Sequence, residues 1–357
     1  MSIIQQLFED EKLANKDIKQ SLRFLLNEWE DIVDAWQIRA WEEYRDVLRL
    51  GRKTRLPESQ RQILWKVFDN VRGKLKQKKM ITYSDMFTEL ANRISNTKNT
   101  LFDYTIVDEA QDISIAQLQF LSALGKLHPD SLFFAGDLGQ RIFRQTFSWK
   151  AAGVDIQGRS RTLTINYRTS HQIRLTADKL LDPEISDGDG NIEQRGSTIS
   201  VFNGIKPTII ECSNTEEEVA RVGRWIQKRL EEGLKPHEIG VFIRSDEQIS
   251  RAQKVVNNVG IDYIILNNHI DITANKVTIC TMHLTKGLEF RAVAVMACDD
   301  EVIPLQSRIE TVSDDSDLEE VYNTERHLLY VACTRARDFL LVTGVAPSSE
   351  FLEDLIC

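Results

Sequence analysis

The chain of 357 residues is 42% hydrophobic and 28% charged, the composition of an ordinary globular protein with room for two or three domains. Its net charge of −9 argues against nucleic-acid binding by bulk charge, and no apolar run approaches the ~18–20 residues of a membrane helix. The five cysteines are scattered without a C-x-x-C pair, and the N-terminus lacks a secretory pattern. We therefore expect a cytoplasmic protein with reduced thiols, no zinc cluster and no membrane partner.

The first 78 residues predict a helical region. They are highly charged and poor in glycine and proline, and apolar residues such as Leu64, Val67 and Val71 recur at helical spacing. Four tryptophans are spaced like side chains that anchor a core: Trp29, Trp36, Trp41 and Trp65. Stacking on nucleic-acid bases is the alternative role for these rings, and core packing is the more usual one.

From Ile81 onward, short apolar runs alternate with helical segments. The apolar runs are TIV at 105–107, LFFA at 132–135 and TLTI at 162–165, and the helices are expected at 84–94 and 114–124. Such alternation is typical of βαβ units around a parallel sheet. Pro183 and the glycine-rich stretch at 187–191 then indicate a break near 182–197.

A second α/β series follows the break. Its expected strands are PTIIEC, IGVFIRS, DYIIL, VTICTMH, AVAVMA and FLLVTG. Ser213, Asn214 and Thr215 can cap a helix that begins with three glutamates, and further helices are expected at 246–259 and 324–337. The sequence therefore predicts an α/β protein with two parallel sheets and an N-terminal helical region.

Polar side chains follow three of the strands expected in the first series. Asp108 and Glu109 come directly after an apolar strand, an arrangement in which the first acid can hold Mg²⁺ and the second can polarise a water. Gln140 follows the next strand, where it can sense a γ-phosphate, and Arg168 follows the third. An arginine at that place is suited to stabilising transition-state charge in nucleotide hydrolysis.

The second series carries a comparable set of polar side chains. His283, Thr285 and Glu289 follow the VTICTMH strand, and the segment ERHLLYVACTRAR is expected to form one helix. That helix would carry Glu325, Tyr330, Arg335 and Arg337. Each segment alone is also compatible with a purely structural role.

The ordered segments DEAQD, GDLGQRIF, NYRTS, TMHLTKGLEF and YVACTRA resemble motifs II to VI of the UvrD/Rep-like superfamily 1 DNA helicases. The resemblance covers roughly residues 80–345 and implies two RecA-like domains, with ATP bound in the cleft between them and 3′→5′ movement on single-stranded DNA. It assigns Mg²⁺ binding to Asp108, water activation to Glu109 and γ-phosphate sensing to Gln140. Arg168 and Arg335 would form a cationic clamp, and Glu289 would meet the ribose.

The same resemblance suggests which residues touch DNA. Phe143 and Trp149 would stack on bases, a contact worth ~1–3 kcal/mol per base, and His283 and Thr285 would contact the backbone. Trp149 lies six residues after Phe143 where the family has a spacing of two, so a core position for Trp149 is an equal alternative. A basic track between 141 and 174 is compatible with a polyanion: Arg141, Arg144, Lys150, Arg159, Arg161, Arg168 and Arg174.

The sequence departs from the family in lacking a P-loop, G-x-x-x-x-G-K-[ST]. The stretch Gly51–Thr54 has the wrong spacing, and Gly73-Lys74 is followed by leucine. We therefore expect residues 1–78 to correspond to the helical domain 1B, residues 79–178 to a partial first RecA-like domain and residues 198–357 to the second, without a 2B insertion. An N-terminal segment or separate subunit would supply the P-loop.

Two other interpretations remain at this stage. A pseudo-helicase that binds DNA or a protein without hydrolysis would explain the missing P-loop, although the retained Glu109, Arg168 and Arg335 argue against it. A nuclease fused to a helicase has no support, because no strand-borne Asp and Glu-x-Lys cluster follows residue 345.

Overall fold

The computed structural model describes residues 3–47, 56–97, 102–126, 128, 130–137, 140, 149–150, 152–186, 192–267, 275–310, 312 and 315–356. The chain folds into two compact units. The first comprises the described residues up to Ser160, with Ser186, and the second comprises 161–185 and the described residues from Ile192 onward. The predicted domain boundaries at 78, 178 and 198 stay predictions, because compact units need not coincide with family domains.

The first unit begins with helices and ends with a small parallel sheet. Its helices are α1 (Ile3–Ala14), α2 (Leu22–Glu28), α3 (Trp41–Asp46), α4 (Glu58–Gln77), α5 (Tyr83–Ser95) and α6 (Ile115–Gly125). A π-helical turn, Trp29–Asp34, continues α2, and the strands are β1 (Thr105–Val107) and β2 (Leu132–Phe134). The helices α5 and α6 lie where the sequence places them, within one residue at each end.

An aromatic cluster forms the core of the N-terminal helices. Phe8, Trp29 and Phe68 are buried with ring centroids 5.8–6.2 Å apart, and the Tyr44 ring lies 5.6 Å from that of Phe68. The Tyr44 hydroxyl donates a hydrogen bond of 2.8 Å to the buried carboxylate of Glu28. The other three early tryptophans, Trp36, Trp41 and Trp65, pack against the same core. The prediction that these rings anchor a core is confirmed.

The strands β1 and β2 pair in parallel, with Ile106 opposite Phe133. Because successive side chains of a strand point to opposite faces, the sheet has two different sides. Val107 and Phe134 pack towards the core of the first unit. Ile106 and Phe133 are on the other side, where 77% and 62% of their surfaces are exposed.

The second unit contains the remaining elements. Its strands are β3 (Ile165–Asn166), β4 (Glu184–Ser186), β5 (Ile192–Gln194), β6 (Ile199–Ser200), β7 (Thr208–Cys212), β8 (Ile239–Ile243), β9 (Tyr263–Ile265), β10 (Val277–Thr281), β11 (Phe290–Val295) and β12 (Ala336–Val345). Its helices are α7 (His171–Asp178), α8 (Thr215–Glu231), α9 (Ile249–Val259), α10 (Gln306–Ile309), α11 (Asp315–Thr334) and α12 (Glu350–Ile356). The end residue Ser186 of β4 is grouped with the first unit.

Six of these strands form one parallel sheet in the order β7-β12-β11-β8-β10-β9. One of its two central strands, β8, is buried throughout, and Val222 and Ile226 of α8 and Val255 of α9 pack against the sheet. The predicted cap is confirmed, since the Asn214 side chain accepts a 2.8 Å hydrogen bond from the Glu217 N–H. The predicted α/β class with parallel sheets is therefore confirmed.

The prediction of one helix over 324–337 is wrong at its C-terminal end. Helix α11 stops at Thr334, whose hydroxyl donates to the carbonyls of Tyr330 and Val331, and β12 begins at Ala336. Arg337 therefore lies on a strand. The physical reason is that β12 is ten residues long and pairs with β11 and β7 on either side, which outweighs the helical pattern.

The prediction of a four-residue strand at 162–165 is also corrected. Only Ile165 and Asn166 form β3, which pairs in parallel with β6. The Asn166 side chain then accepts the Arg168 N–H at 2.8 Å and turns the chain into α7. In the part of the chain that the structure describes, no helix is long and apolar enough to cross a membrane.

Candidate functional site

The first group of predicted site residues lies at the end of β1. Asp108 is exposed, and its Oδ1 accepts the Glu109 N–H at 2.8 Å. Glu109 adopts a left-handed backbone conformation, with φ 53° and ψ 39°, which is unusual for a residue with a side chain. This sharp turn ends the strand.

The end of β2 lies beside this turn and is joined to it by hydrogen bonds. Backbone bonds of 2.8 Å run from Ala110 N–H to Ala135 O and from Ala135 N–H to Val107 O. The buried Gln111 side chain donates to Glu109 Oε2 at 2.5 Å and accepts the Asp137 N–H at 3.0 Å. Gln140 Nε2 donates to Asp137 Oδ2 at 2.8 Å.

The predicted acids and the predicted phosphate sensor are thus brought together within the first unit. Asp108, Glu109 and Gln140 are linked by one continuous series of hydrogen bonds, which includes the backbone N–H groups of Glu109 and Asp137. The Gln111 amide and the Asp137 carboxylate complete that series, and neither was assigned a role from the sequence. The signal that could have found them is position, since both follow the carboxyl ends of neighbouring parallel strands.

The structure supports the core alternative for Trp149. Its side chain is 9% exposed, and its ring lies edge-on to Phe134 with centroids 5.1 Å apart. Ala110, Leu118 and Val154 belong to the same buried cluster. Phe143, the other predicted stacking residue, lies outside the described residues.

The second group of predicted site residues gathers in the second unit. Arg168 Nε lies 3.2 Å from Glu289 Oε2, and both side chains are nearly half exposed. Arg335 is 1% exposed; its Nε donates to Val331 O at 3.1 Å and its Nη1 to Leu288 O at 3.4 Å. The Phe290 N–H also donates to Arg335 O at 3.0 Å, which fixes the start of β11 beside the end of α11.

The basic track predicted at 141–174 is partly neutralised by acids of its own unit. Arg159 pairs with Asp130 and Arg174 with Asp178. Arg168 pairs with Glu289 as described above, and Arg141 and Arg144 lie outside the described residues. These pairs reduce the positive charge available to a polyanion. The described part of the track therefore carries less unpaired positive charge than its sequence suggests.

The two predicted backbone-contacting residues after β10 differ in exposure. His283 is partly exposed, with part of its ring covered, whereas Thr285 is fully buried and its hydroxyl donates to Met282 O at 2.8 Å. The Thr285 contacts are those of a residue that shapes the turn. Contact of either side chain with DNA stays a prediction.

A buried ion triad lies next to His283 and was missed by sequence reasoning. Glu325 is fully buried; its Oε2 lies 2.5 Å from Arg244 Nε, and its Oε1 lies 2.6 Å from Arg244 Nη2. Arg308 Nη1 reaches the same Oε1 at 2.8 Å. The triad joins the residue that follows β8 to α10 and α11, and the long sequence separation of its members leaves no local signal.

Replacing Glu325 with glutamine is expected to destabilise the protein by about 3–5 kcal/mol, because buried Arg244 and partly buried Arg308 would lose their carboxylate. Urea unfolding would measure this loss of free energy. Glu353→Gln on the exposed face of α12 is the matched control and should change stability little. A loss below 1 kcal/mol for Glu325→Gln would contradict the proposed importance of the triad.

His283 is expected to be neutral at pH 7. Partial burial of its ring, and then the positive charge of Arg244, lower the pKa of His283 to about 4. The unfolded chain takes up the proton near pH 6.5, so this residue reduces stability progressively as the pH falls from about 6.5 towards 4.

The titration of His283 can be followed by NMR of its ring protons. We expect the midpoint near the lowered pKa, and His283→Gln should weaken the loss of stability on acidification through that window. His128→Gln, at an exposed position of the first unit, is the control. A midpoint at the ordinary histidine value would refute the lowering of this pKa by burial and by Arg244.

The residues of the first unit suit magnesium bound together with a nucleotide. Within the described residues, no group of three or more histidine, cysteine, aspartate or glutamate side chains could hold a metal ion. Mg²⁺ commonly uses only one or two carboxylates and takes its remaining ligands from water and phosphate oxygens. The exposed carboxylate of Asp108 fits that requirement.

Both units thus carry charged or polar side chains beside the ends of parallel strands, within an α/β architecture. Residues 1–158 match the UvrD/REP helicase N-terminal domain, and residues 266–346 match the UvrD-like helicase C-terminal domain. Together the two matches cover well over half of the chain. The chain belongs to the UvrD-like family of DNA helicases.

Curated relatives agree with this assignment. A protein of Mycoplasma pneumoniae named "Probable DNA helicase" is 24% identical over 290 residues, which are 76% of this chain and 50% of that protein. The ATP-dependent DNA helicase PcrA of Staphylococcus epidermidis is 42% identical over 72 residues, which are 20% of this chain and 9% of PcrA. The chain therefore matches half or less of the length of these relatives.

A solved structure was also found by comparison of folds. It is the crystal structure of the C-terminal domain of a possible DNA helicase from Lactobacillus plantarum. It has 20% sequence identity and a TM-score of 0.35, and the match covers 53% of this chain and 94% of the other. A likeness this distant supports no argument about the site.

Proposed function

We propose that the chain is one part of an ATP-driven motor that moves 3′→5′ along single-stranded DNA and requires a P-loop supplied by another polypeptide segment. The observation that carries this proposal is the series of hydrogen bonds in the first unit. Through side chains and two backbone N–H groups, it links Asp108, Glu109 and Gln140 beyond the ends of two parallel strands.

The chemistry we propose follows from these side chains. The Glu109 carboxylate would orient the attacking water and accept its proton, and Gln140 would donate a hydrogen bond to the γ-phosphate. Asp108 would hold Mg²⁺, which when bound neutralises charge developing on the phosphate oxygens. Arg168 and Arg335 would supply positive charge to the transition state, and Glu289 would bind the ribose.

Arg335 has to move for this role. Its guanidinium is 1% exposed and donates to the carbonyls of Leu288 and Val331, so it would have to become accessible before it could reach a phosphate. A charge-assisted hydrogen bond to a phosphate would help to compensate for that rearrangement. We propose that nucleotide binding drives this movement.

The uncovered side of the β1–β2 sheet supports the need for another segment. Ile106, Phe133 and the neighbouring Tyr104 are 62–77% exposed, although adjacent side chains of this kind normally pack against other chain segments. The sequence has no G-x-x-x-x-G-K-[ST] motif, whose backbone N–H groups and lysine hold phosphates. We propose that a strand and helix carrying this motif cover the exposed side.

The proposed DNA contacts involve Phe143 by base stacking and His283 and Thr285 by contact with the backbone. The Thr285 hydroxyl is buried and donates to Met282 O, so DNA could contact it only after the turn that contains it opens. The proposed location is the cytoplasm, which suits the buried free thiols of Cys212, Cys280, Cys298 and Cys333.

Measuring ATP hydrolysis tests the proposal. The chain alone, and the chain together with a P-loop segment encoded next to it, would be assayed with and without single-stranded DNA. We expect DNA-stimulated hydrolysis only from the combination. Displacement of strands from duplexes with a 3′ or a 5′ tail would then test direction, and a preference for the 5′ tail would contradict the proposed polarity.

The alternative is a pseudo-helicase that binds DNA or a protein without hydrolysis, and the absent P-loop motif is the observation that favours it. This alternative predicts DNA binding with no hydrolysis from either the chain or the combination. Substantial Mg²⁺-dependent hydrolysis from the chain alone would exclude both the pseudo-helicase and the requirement for a second segment.

A further inference from the structure

The Gln111 side chain occupies a buried position between the turn after β1 and the end of β2. It is 6% exposed, and both of its polar atoms are used. Nε2 donates to Glu109 Oε2 at 2.5 Å, and Oε1 accepts the Asp137 N–H at 3.0 Å. The amide therefore spans the two strand ends that carry the proposed catalytic residues.

The orientation of this amide is determined by its partners. A carboxylate oxygen only accepts hydrogen bonds, and a backbone N–H only donates, so the amide nitrogen has to face Glu109 and the amide oxygen has to face Asp137. Gly136 makes room for it, because a Cβ at that position would lie 2.5 Å from Gln111 Oε1. Any larger residue at 136 would displace the amide.

The amide is not needed to hold the strand ends together. Backbone hydrogen bonds from Ala110 N–H to Ala135 O and from Ala135 N–H to Val107 O already join them. The contribution specific to Gln111 is the connection between the Glu109 carboxylate and the turn that contains Asp137. Asp137 in turn accepts the Gln140 side chain at 2.8 Å.

We propose that Gln111 is a positioning residue that couples the Glu109 carboxylate to the Asp137–Gln140 turn. This inference rests on the proposed function for the roles of Glu109 and Gln140. A change in the hydrogen bonds of Glu109 would then alter the hydrogen bonds of Gln140 through Gln111 and Asp137. A change at Gln140 would alter those of Glu109 in the same way. The water-activating group and the phosphate sensor would respond as one unit.

NMR of the full chain tests the coupling without nucleotide. Four proteins are compared: the wild type, Glu109→Gln, Gln111→Met and the double variant. Gln111→Met keeps the length of the side chain and removes both hydrogen bonds, so exchange of the Asp137 N–H with solvent should become about fivefold faster. Glu109→Gln should shift the Asp137 N–H resonance in the wild-type background and leave it unchanged in the Gln111→Met background.

An equal shift of the Asp137 N–H resonance in both backgrounds would overturn the proposal, because a merely structural glutamine predicts that result. Unchanged Asp137 exchange in Gln111→Met would overturn it as well. Should Gln111→Met fail to fold, Gln111→Asn serves the same comparison, since its shorter side chain cannot reach both partners.

Gln119→Met is the matched control. Gln119 is a half-buried glutamine on the neighbouring helix α6, and its replacement should leave Asp137 unaffected. The NMR measurement needs neither ATP nor a second segment, so failure of the proposed function and failure of the coupling are distinguished. If the chain with its P-loop segment hydrolysed no ATP but the Asp137 N–H still responded as expected, the proposed function would be rejected and the coupling would stand.

Discussion

Replacing Glu109 with glutamine is expected to slow ATP hydrolysis by about 10²- to 10⁴-fold while leaving ATP binding intact. The variant keeps the shape of the side chain and an oxygen that can accept from Gln111. It removes the negative charge that would take a proton from water. Steady-state hydrolysis by the chain with its P-loop segment, and binding of a fluorescent ATP analogue, would measure the two effects separately.

Glu89→Gln is the control for Glu109. Glu89 lies on α5 and makes an exposed pair with Arg93, a contact of small energy. This variant should hydrolyse ATP at the wild-type rate. Normal turnover in Glu109→Gln would remove the water-activating role, and loss of ATP binding would indicate that the glutamate acts in binding.

Replacing Arg335 with alanine is expected to lower ATP turnover about 10³-fold or more, by analogy with arginines that stabilise phosphoryl transfer. The structure adds a second expectation. Because the buried guanidinium donates to Leu288 O and Val331 O, its removal leaves two carbonyls without that donor and also lowers stability. Hydrolysis and urea unfolding therefore have to be measured on the same preparation.

Arg337→Ala provides the matched control for Arg335. Arg337 is two residues further on, half exposed, and its Nε lies 3.5 Å from Asp338 Oδ1. Its removal should change neither turnover nor stability appreciably. Normal turnover in Arg335→Ala would refute the clamp, whereas lost stability with unchanged turnover per folded molecule would assign Arg335 to the fold alone.

The second unit was the more predictable part of the fold. The Asn214 cap and the buried strand β8 are encoded by neighbouring residues, so the pattern of the sequence was sufficient to predict them. The end of α11 depends on the pairing of β12 with two other strands, which no local pattern reveals. The sequence therefore predicted the order of the elements better than the position where α11 ends and β12 begins, which places Arg337 on the strand.

The candidate site shows the same division. Asp108, Glu109 and Gln140 were predicted because each follows an apolar strand, and the structure brings them together. Gln111 lies in the same segment as Asp108 and Glu109. Its contact with the Asp137 N–H, which follows β2, depends on the pairing of β1 with β2, so the sequence did not reveal its position. The contact of Arg244 with Glu325 joins residues that are 81 positions apart, and only the folded chain reveals it.

The backbone at Glu109 has a consequence for protein engineering. Left-handed conformations cost L-residues roughly 1–2 kcal/mol, and glycine or asparagine would occupy this corner more comfortably. Substitutions chosen only for thermal robustness would therefore favour Glu109→Gly and would erase the acid. A screen for heat resistance should exclude this position from its library.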